Sequence, residues 1–131
     1  MSILSVSKVQ KVYRTNGWAL HALDDITFAV GENEFVTLVG PSGCGKSTLL
    51  KIAGGLIERT AGDVVFKGEP VAGPRRDIGI MFQTPVLFDW RTTLENVLLP
   101  TEVLGLDPEA SRQRARDVLK MVDLEGFEDS Y

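Results

Sequence analysis

Apolar residues change their spacing along this chain, and each change predicts a different element. Ile3 to Val9 reads as one strand, Thr15, Asn16 and Gly17 as a turn, and Ile26, Phe28 and Val30 as a second strand with its apolar side chains on one face. Residues 35–39, FVTLV, follow a turn signal at 31–34 and form a continuous apolar run rich in β-branched residues, the pattern of a strand buried on both faces. Leu49, Ile52, Ala53 and Leu56 then recur at three-to-four spacing, which predicts one buried helical face. A turn at 60–63, a strand at 64–66, a turn at 67–70 and a polar loop from Gly73 through Arg76 lead to residues 78–82, IGIMF, a second candidate for a buried strand, ending at Gln83.

The last third reads as helical. Thr92 and Glu95 have capping-box spacing just before Val97, Leu98 and Leu99. Asp107 followed by Pro108 marks another helix start, and Ala115, Val118, Leu119 and Val122 give that helix its buried stripe. Arg112, Arg114 and Arg116 fall on other positions, as a solvated polar face.

Between the first buried-strand candidate and its helix lies Gly40 to Thr48, GPSGCGKST, with Gly40, Gly45, Lys46 and Ser47 in the four fixed places of GxxxxGKS/T. A polyphosphate is wrapped by successive backbone N–H groups, and only a loop free of bulky side chains turns that tightly. Gly40, Pro41, Ser42, Gly43, Cys44, Gly45, Lys46, Ser47 and Thr48 are therefore the candidate nucleotide-binding residues. Lys46 would bring a point charge to the outer phosphates, Ser47 a hydroxyl to Mg²⁺, and the helix its positive end to the anion.

Composition narrows the setting. A chain of 131 residues with 44% apolar and 24% charged residues is long enough for one core and ordinary for a globular protein. No apolar run approaches the roughly 20 residues that span a bilayer, and the first residues lack the basic and long apolar segments of a signal peptide, so a cytoplasmic location is expected. The formal charge of −4 argues against nucleic acid as a partner. Cys44, the single cysteine, fits a reducing compartment and a tight loop; a helix N-terminus can lower a thiol pKa, so nucleotide could protect it from labelling. His21, the single histidine, has no Ser or Cys partner in view and reads as a surface residue.

Several separated segments resemble the nucleotide-binding subunits of ABC transporters. Tyr13 stands before the phosphate loop where that family carries its adenine-stacking aromatic. Gly40 to Leu56, GPSGCGKSTLLKIAGGL, is similar to the family's first motif with its extension; residues 60–64 resemble the segment after that helix, and Phe82 with Gln83 the Q-loop. LFDWRTTLENVLLP, from Leu87 to Pro100, is especially like importers of nitrate, sulfonate, taurine and related small solutes.

The resemblance implies an α/β P-loop NTPase core with an antiparallel β portion before it and the start of a helical subdomain after it, a partial nucleotide-binding domain. The β portion and core would cover about residues 1–85, and the Q-loop and helical portion about 83–131. It implies ATP and Mg²⁺ as ligands, Lys46 and Gln83 as the residues serving catalysis, and Ser47 and Gln83 beside the metal. Tyr13 would stack on the base. Transmembrane permease subunits would be partners, with Val86, Leu87, Phe88 and Trp90 as a contact; the other apolar reading of that cluster folds Leu87 and Phe88 into the core and leaves Trp90 exposed. A second ATP-binding subunit completes the expected assembly, on the cytoplasmic face of the membrane.

The chain departs from the family downstream of Gln83. It has no LSGGQ-type signature, no apolar strand ending in Asp and followed by a catalytic Glu, and no switch His; its Gly-Gly pair is Gly54 and Gly55, and Met121, Val122 and Asp123 make too short a run. Phosphoryl transfer needs those groups for the metal network and the attacking water. The expectation is a truncated chain that binds ATP and does not hydrolyse it alone, with exposed edges where sheet neighbours are missing. A non-hydrolysing nucleotide-binding fragment and a small P-loop kinase are the alternatives; the kinase would open with a strand directly into the loop and carry an arginine-rich lid.

Overall fold

The computed structural model describes residues 2–131, which divide into two compact units, one through Ile78 and the other from Gly79 to Tyr131. The first is a four-stranded antiparallel sheet with one helix on it. β1 (Ser2–Thr15) and β2 (Trp18–Gly31) form a long hairpin closed at Asn16 and Gly17, both strands running further than their apolar residues alone predict. β3 (Ala61–Phe66) pairs with the other side of β1, and the short β4 (Glu69–Pro70) closes the order β2-β1-β3-β4.

One irregularity in β1 shapes this unit. Val6 pairs with Phe28 and Val9 with Ile26, while on the β3 side Ser7 pairs with Asp63 and Gln10 with Ala61, so β1 carries one extra residue against both neighbours. Such a bulge resets the alternation of side chains. Val6 and Val9, three apart, are consequently both buried on the same core. Lys8 takes a left-handed φ of 49° there, and its N–H donates to Thr27 Oγ1 at 2.9 Å. Gly62 faces the bulge: a Cβ on it would lie 2.2 Å from the Lys8 carbonyl oxygen, so only glycine lets β3 approach.

Helix α1 (Lys46–Ala53) lays Leu49 and Ile52 on this sheet, where Val6, Val9, Leu23, Val64 and Val71 complete the core. Each such aliphatic side chain removed from water contributes about 1.5–3 kcal/mol. Leu56, expected on the same helical face, comes after the helix has ended and is exposed. Beyond β4, Arg75 bridges Glu69 at 2.8 Å and Asp77 at 2.9 Å, and Lys67 also reaches Asp77 at 3.4 Å.

The two predicted buried strands do not form. Residues 34–40 and 78–82 have no strand structure, and Phe35 is 92% exposed, Val39 89% and Met81 97%. The physical reason is the lack of ladder partners: an extended segment becomes a central strand only when neighbours take its N–H and C=O groups, and the antiparallel sheet formed by β1 to β4 supplies none. The turn expected at 60–63 is likewise corrected, since Ala61 to Asp63 lie in β3, paired with β1.

The second unit is a helical hairpin. α2 (Thr93–Leu104) and α3 (Pro108–Met121) bury Leu94 and Leu98 against Ala115 and Leu119. Both predicted starts are built as expected: Thr92 Oγ1 accepts from the Glu95 N–H while Glu95 Oε2 accepts from the Thr92 N–H, and Asp107 Oδ1 accepts from the Ala110 N–H at 2.7 Å. Arg112, Arg114 and Arg116 are exposed, as is Val122, which lies past the end of α3. The N–H groups of Thr93 and Leu94 donate to the carbonyls of Ser130 and Glu128, so the final residues satisfy part of the first turn of α2.

Candidate nucleotide site

The phosphate loop is seated on the hairpin. Lys11 pairs with Leu23 and Val12 with His21, which leaves Ala22 as an extra residue on β2, a bulge that is one of several register shifts along the hairpin. Gly45 packs against that bulge: a Cβ on it would stand 2.5 Å from the Ala22 carbonyl oxygen and 2.8 Å from Leu23 Cδ2. Gly45 also has φ +97°, and Gly43 φ +80°, a left-handed pair that curls the loop before α1 begins. At Gly40 the backbone is not left-handed, but a Cβ would stand 2.9 Å from Cys44 Sγ.

The loop presents donors. Gly45 caps α1 with no side-chain hydrogen bond, and the first turn carries no acidic residue. The N–H groups that open a helix have no intrahelical partner, so those of Lys46, Ser47 and Thr48 are available to an anion at the helix's positive end. Lys46 Nζ donates to the carbonyls of Gly40 and Pro41, both at 2.7 Å, and lies 3.5 Å from Cys44 Sγ. Of its three donors, the one facing sulfur has a weak acceptor and is the easiest to give to a phosphate oxygen. This donor set fits a polyphosphate. Ser47 and Cys44 are exposed, and among the described residues no group of three His, Cys, Asp or Glu could hold a metal. Mg²⁺ commonly keeps phosphate oxygens and waters among its ligands, and the exposed Ser47 hydroxyl is of the oxygen type it takes.

Tyr13 lies on β1 opposite Leu20, two residues beyond Lys11, or about 7 Å along the strand from the register at which Gly45 packs. Lys11 Nζ sits 5.0 Å from the Tyr13 ring centroid and donates to the Glu58 carbonyl at 2.6 Å. The sequence reading missed both Lys11 and the bulge at Ala22. Lys11 and Tyr13 share a strand face only because β1 runs beyond Val9 to Thr15, and no residue type marked Ala22.

Gln83 lies in the second unit, exposed at a bend. Val86, Leu87 and Trp90 are exposed too, whereas Phe88 is partly buried and stacks on Trp90 with ring centroids 4.7 Å apart. Leu87 is therefore not a core residue. The segment is held by Asn96, whose Oδ1 accepts from the Phe88 N–H and whose Nδ2 donates to the carbonyls of Phe88, Arg91 and Thr92 at 3.0–3.1 Å. Apolar side chains are thus displayed on an anchored backbone. His21 is exposed, as expected of a surface residue.

A GxxxxGKS/T loop rich in glycine that opens directly into a helix is the phosphate-binding element of the P-loop class of folds. The ABC transporter family profile matches residues 23–131, and the chain belongs to that family. It is 46% identical over 128 residues to an uncharacterised ABC transporter ATP-binding protein of Methanocaldococcus jannaschii, covering 98% of this chain and 48% of that protein. It is 43% identical over 128 residues to a taurine import ATP-binding protein of Burkholderia pseudomallei, covering 98% and 49%. An aliphatic sulfonates import ATP-binding protein of Bacillus thuringiensis is 36% identical over 128 residues, with 98% and 50% covered. The chain thus spans about half the length of the curated relatives it matches. Among solved structures, the ATP-binding cassette MJ0796 in a dimeric post-hydrolysis state bound to ADP and Pi superposes with a TM-score of 0.85 at 34% identity, over 96% of this chain and 60% of that one.

Proposed function

We propose that this chain is the ATP-binding part of an importer subunit for a small solute of the taurine, sulfonate or nitrate kind. The observation that carries the proposal is the loop itself: Gly43 and Gly45 in left-handed conformations, an α1 start with no side-chain cap, and Lys46 held by the Gly40 and Pro41 carbonyls. Likeness to taurine and sulfonate import proteins supports the solute class.

Gly40 through Thr48 would wrap the phosphates of ATP with their N–H groups, and Lys46 would turn its ammonium to the outer ones. Ser47 would hold Mg²⁺ through its hydroxyl, and Gln83, which resembles the family's Q-loop glutamine, is the other residue proposed to serve the metal and catalysis. The metal supplies neutralisation of phosphate charge when bound. Tyr13 would stack on adenine, an interaction worth about 1–3 kcal/mol and tolerant of base identity. The division between Ile78 and Gly79 supports a β and phosphate-loop portion over about 1–85 followed by a Q-loop and helical portion over about 83–131.

Val86, Leu87, Phe88 and Trp90 would meet a transmembrane permease subunit at the cytoplasmic face of the membrane; the exposure of Val86, Leu87 and Trp90 on a backbone anchored by Asn96 supports this over a core role. No helix among the described residues is long and apolar enough to cross a membrane. A second ATP-binding subunit would complete the site, as the dimeric state of the MJ0796 cassette suggests. Because the signature, the metal-holding Asp, the catalytic Glu and the switch His do not occur in these 131 residues, the chain by itself would bind ATP without turning it over. Phosphate release is the test: the 131-residue chain should show none above background, and steady release abolished by Lys46→Ala would refute the claim.

A further inference from the structure

Beside Tyr13 the hairpin carries a feature that the phosphate loop does not explain. Thr15 pairs with Trp18 and Tyr13 with Leu20, so alternation places Tyr13, Thr15, Trp18 and Leu20 on one face of the sheet. Lys11 shares that face and covers one side of the Tyr13 ring, 5.0 Å from its centroid. Trp18 lies toward the hairpin tip, away from Lys11 and diagonal to Tyr13, a relation in which side chains start about 7–8 Å apart. Its indole is 73% exposed and belongs to neither core cluster. Trp18 thus offers an uncovered aromatic surface on the sheet face that carries Tyr13.

We propose that Trp18 is the second wall of the base site, so that the base of a bound nucleoside triphosphate slots between the Tyr13 ring and the Trp18 indole, with Leu20 beneath its edge. The slot fits one base: stacked bases repeat at about 3.4 Å, so one base between two rings needs roughly twice that, the spacing of the diagonal pair. Continuity with the phosphate loop identifies the occupant. Gly45 packs on Ala22 and Leu23, and Leu23 pairs with Lys11, next but one to Tyr13 on the strand. The proposal rests on the reading of Tyr13 as the base-stacking residue, and it adds a positioning role for Trp18 that would favour planar bases in general.

The chain has two tryptophans, so Trp90→Phe leaves Trp18 as the sole indole reporter. Titration of this 131-residue variant with Mg-ATP should quench Trp18 fluorescence saturably, and inorganic triphosphate should not. Trp18→Ala, at an exposed site that removes no core contact, should weaken ATP binding about tenfold while leaving inorganic triphosphate binding unchanged, and Trp18→Phe should restore most of the loss. If Trp18→Ala leaves ATP binding unchanged while Tyr13→Ala weakens it, the second wall is wrong and the Tyr13 reading stands. If both substitutions are silent, both ideas fall. Equal weakening of ATP and triphosphate by Trp18→Ala would also overturn the proposal, because the effect would then not be on the base.

Discussion

Replacing Gly45 by alanine tests whether the phosphate loop is held in shape by its seat on β2. Two costs arise. The left-handed backbone, φ +97°, penalises any L side chain by about 1–2 kcal/mol. The new Cβ would also stand 2.5 Å from the Ala22 carbonyl oxygen, short of ordinary contact by about 0.9 Å, and the obstacle is backbone, which cannot swing aside. Overpacking of that kind adds about 1–3 kcal/mol, against which alanine recovers about 0.4–1 kcal/mol through the unfolded chain. The net loss is about 1–4.6 kcal/mol. Gly43→Ala is the matched control: φ is +80°, but a Cβ there meets nothing within 4 Å, so only the backbone cost remains, near 1 kcal/mol. For a unit of this size each kcal/mol moves the melting temperature by roughly 4–8 °C. Thermal melts by circular dichroism should put Gly45→Ala at least about 5 °C below Gly43→Ala, and ATP binding should be lost with it. Equal melting of the two variants would show that the loop does not rest on the Ala22 bulge.

Three further predictions concern other parts of the chain. Thr92→Ala removes a capping box whose two hydrogen bonds are both made, and chemical denaturation of the helical unit should report a loss of about 1 kcal/mol; no change would mean the cap is replaced by water at no cost. Phe35→Ser should leave stability within about 0.5 kcal/mol, since Phe35 is almost wholly exposed, and should reduce binding of an apolar dye to the recess that Phe35 shares with Leu4, Phe28, Leu38, Leu49 and Leu50. Asp77 is pulled down to about 2, first by its hydrogen bond to Arg75, with that guanidinium's charge and Lys67 adding to it. A folded pKa below the unfolded value means that its stabilisation is complete above about pH 5 and is lost as pH falls from about 4 through 2. Carboxyl NMR should place the midpoint near 2, and Arg75→Gln should return it toward the ordinary aspartate range.

Local chemistry was readable from residue types, and long-range partnership was not. GPSGCGKST, the Thr92 and Glu95 pair, Asp107 with Pro108, and the turn at Asn16 and Gly17 each specify geometry within a few residues, and each is found where it was expected. Residues 35–39 and 78–82 failed for the opposite reason. A continuous apolar run says that a segment is suited to a buried sheet position, and only neighbouring strands make that position exist. The bulges at Lys8 and Ala22 were also hidden, because a bulge is a mismatch in register between two strands and neither Lys nor Ala announces one. Tyr13 was singled out through the family resemblance alone, and Lys11 beside it was hidden because the apolar pattern ends the first strand at Val9, whereas β1 runs on to Thr15.

The central claim is that Gly40 to Thr48 forms a working phosphate cradle in this chain. Equilibrium binding of Mg-ATP to the 131-residue protein, measured by calorimetry beside Lys46→Ala, tests it most directly. The account predicts saturable binding of one ATP per chain, weakened about 10- to 100-fold by the substitution, as loss of a charge-assisted contact of about 1.5–3 kcal/mol requires. A folded chain that binds no ATP, or binds it equally well without the Lys46 ammonium, would contradict it.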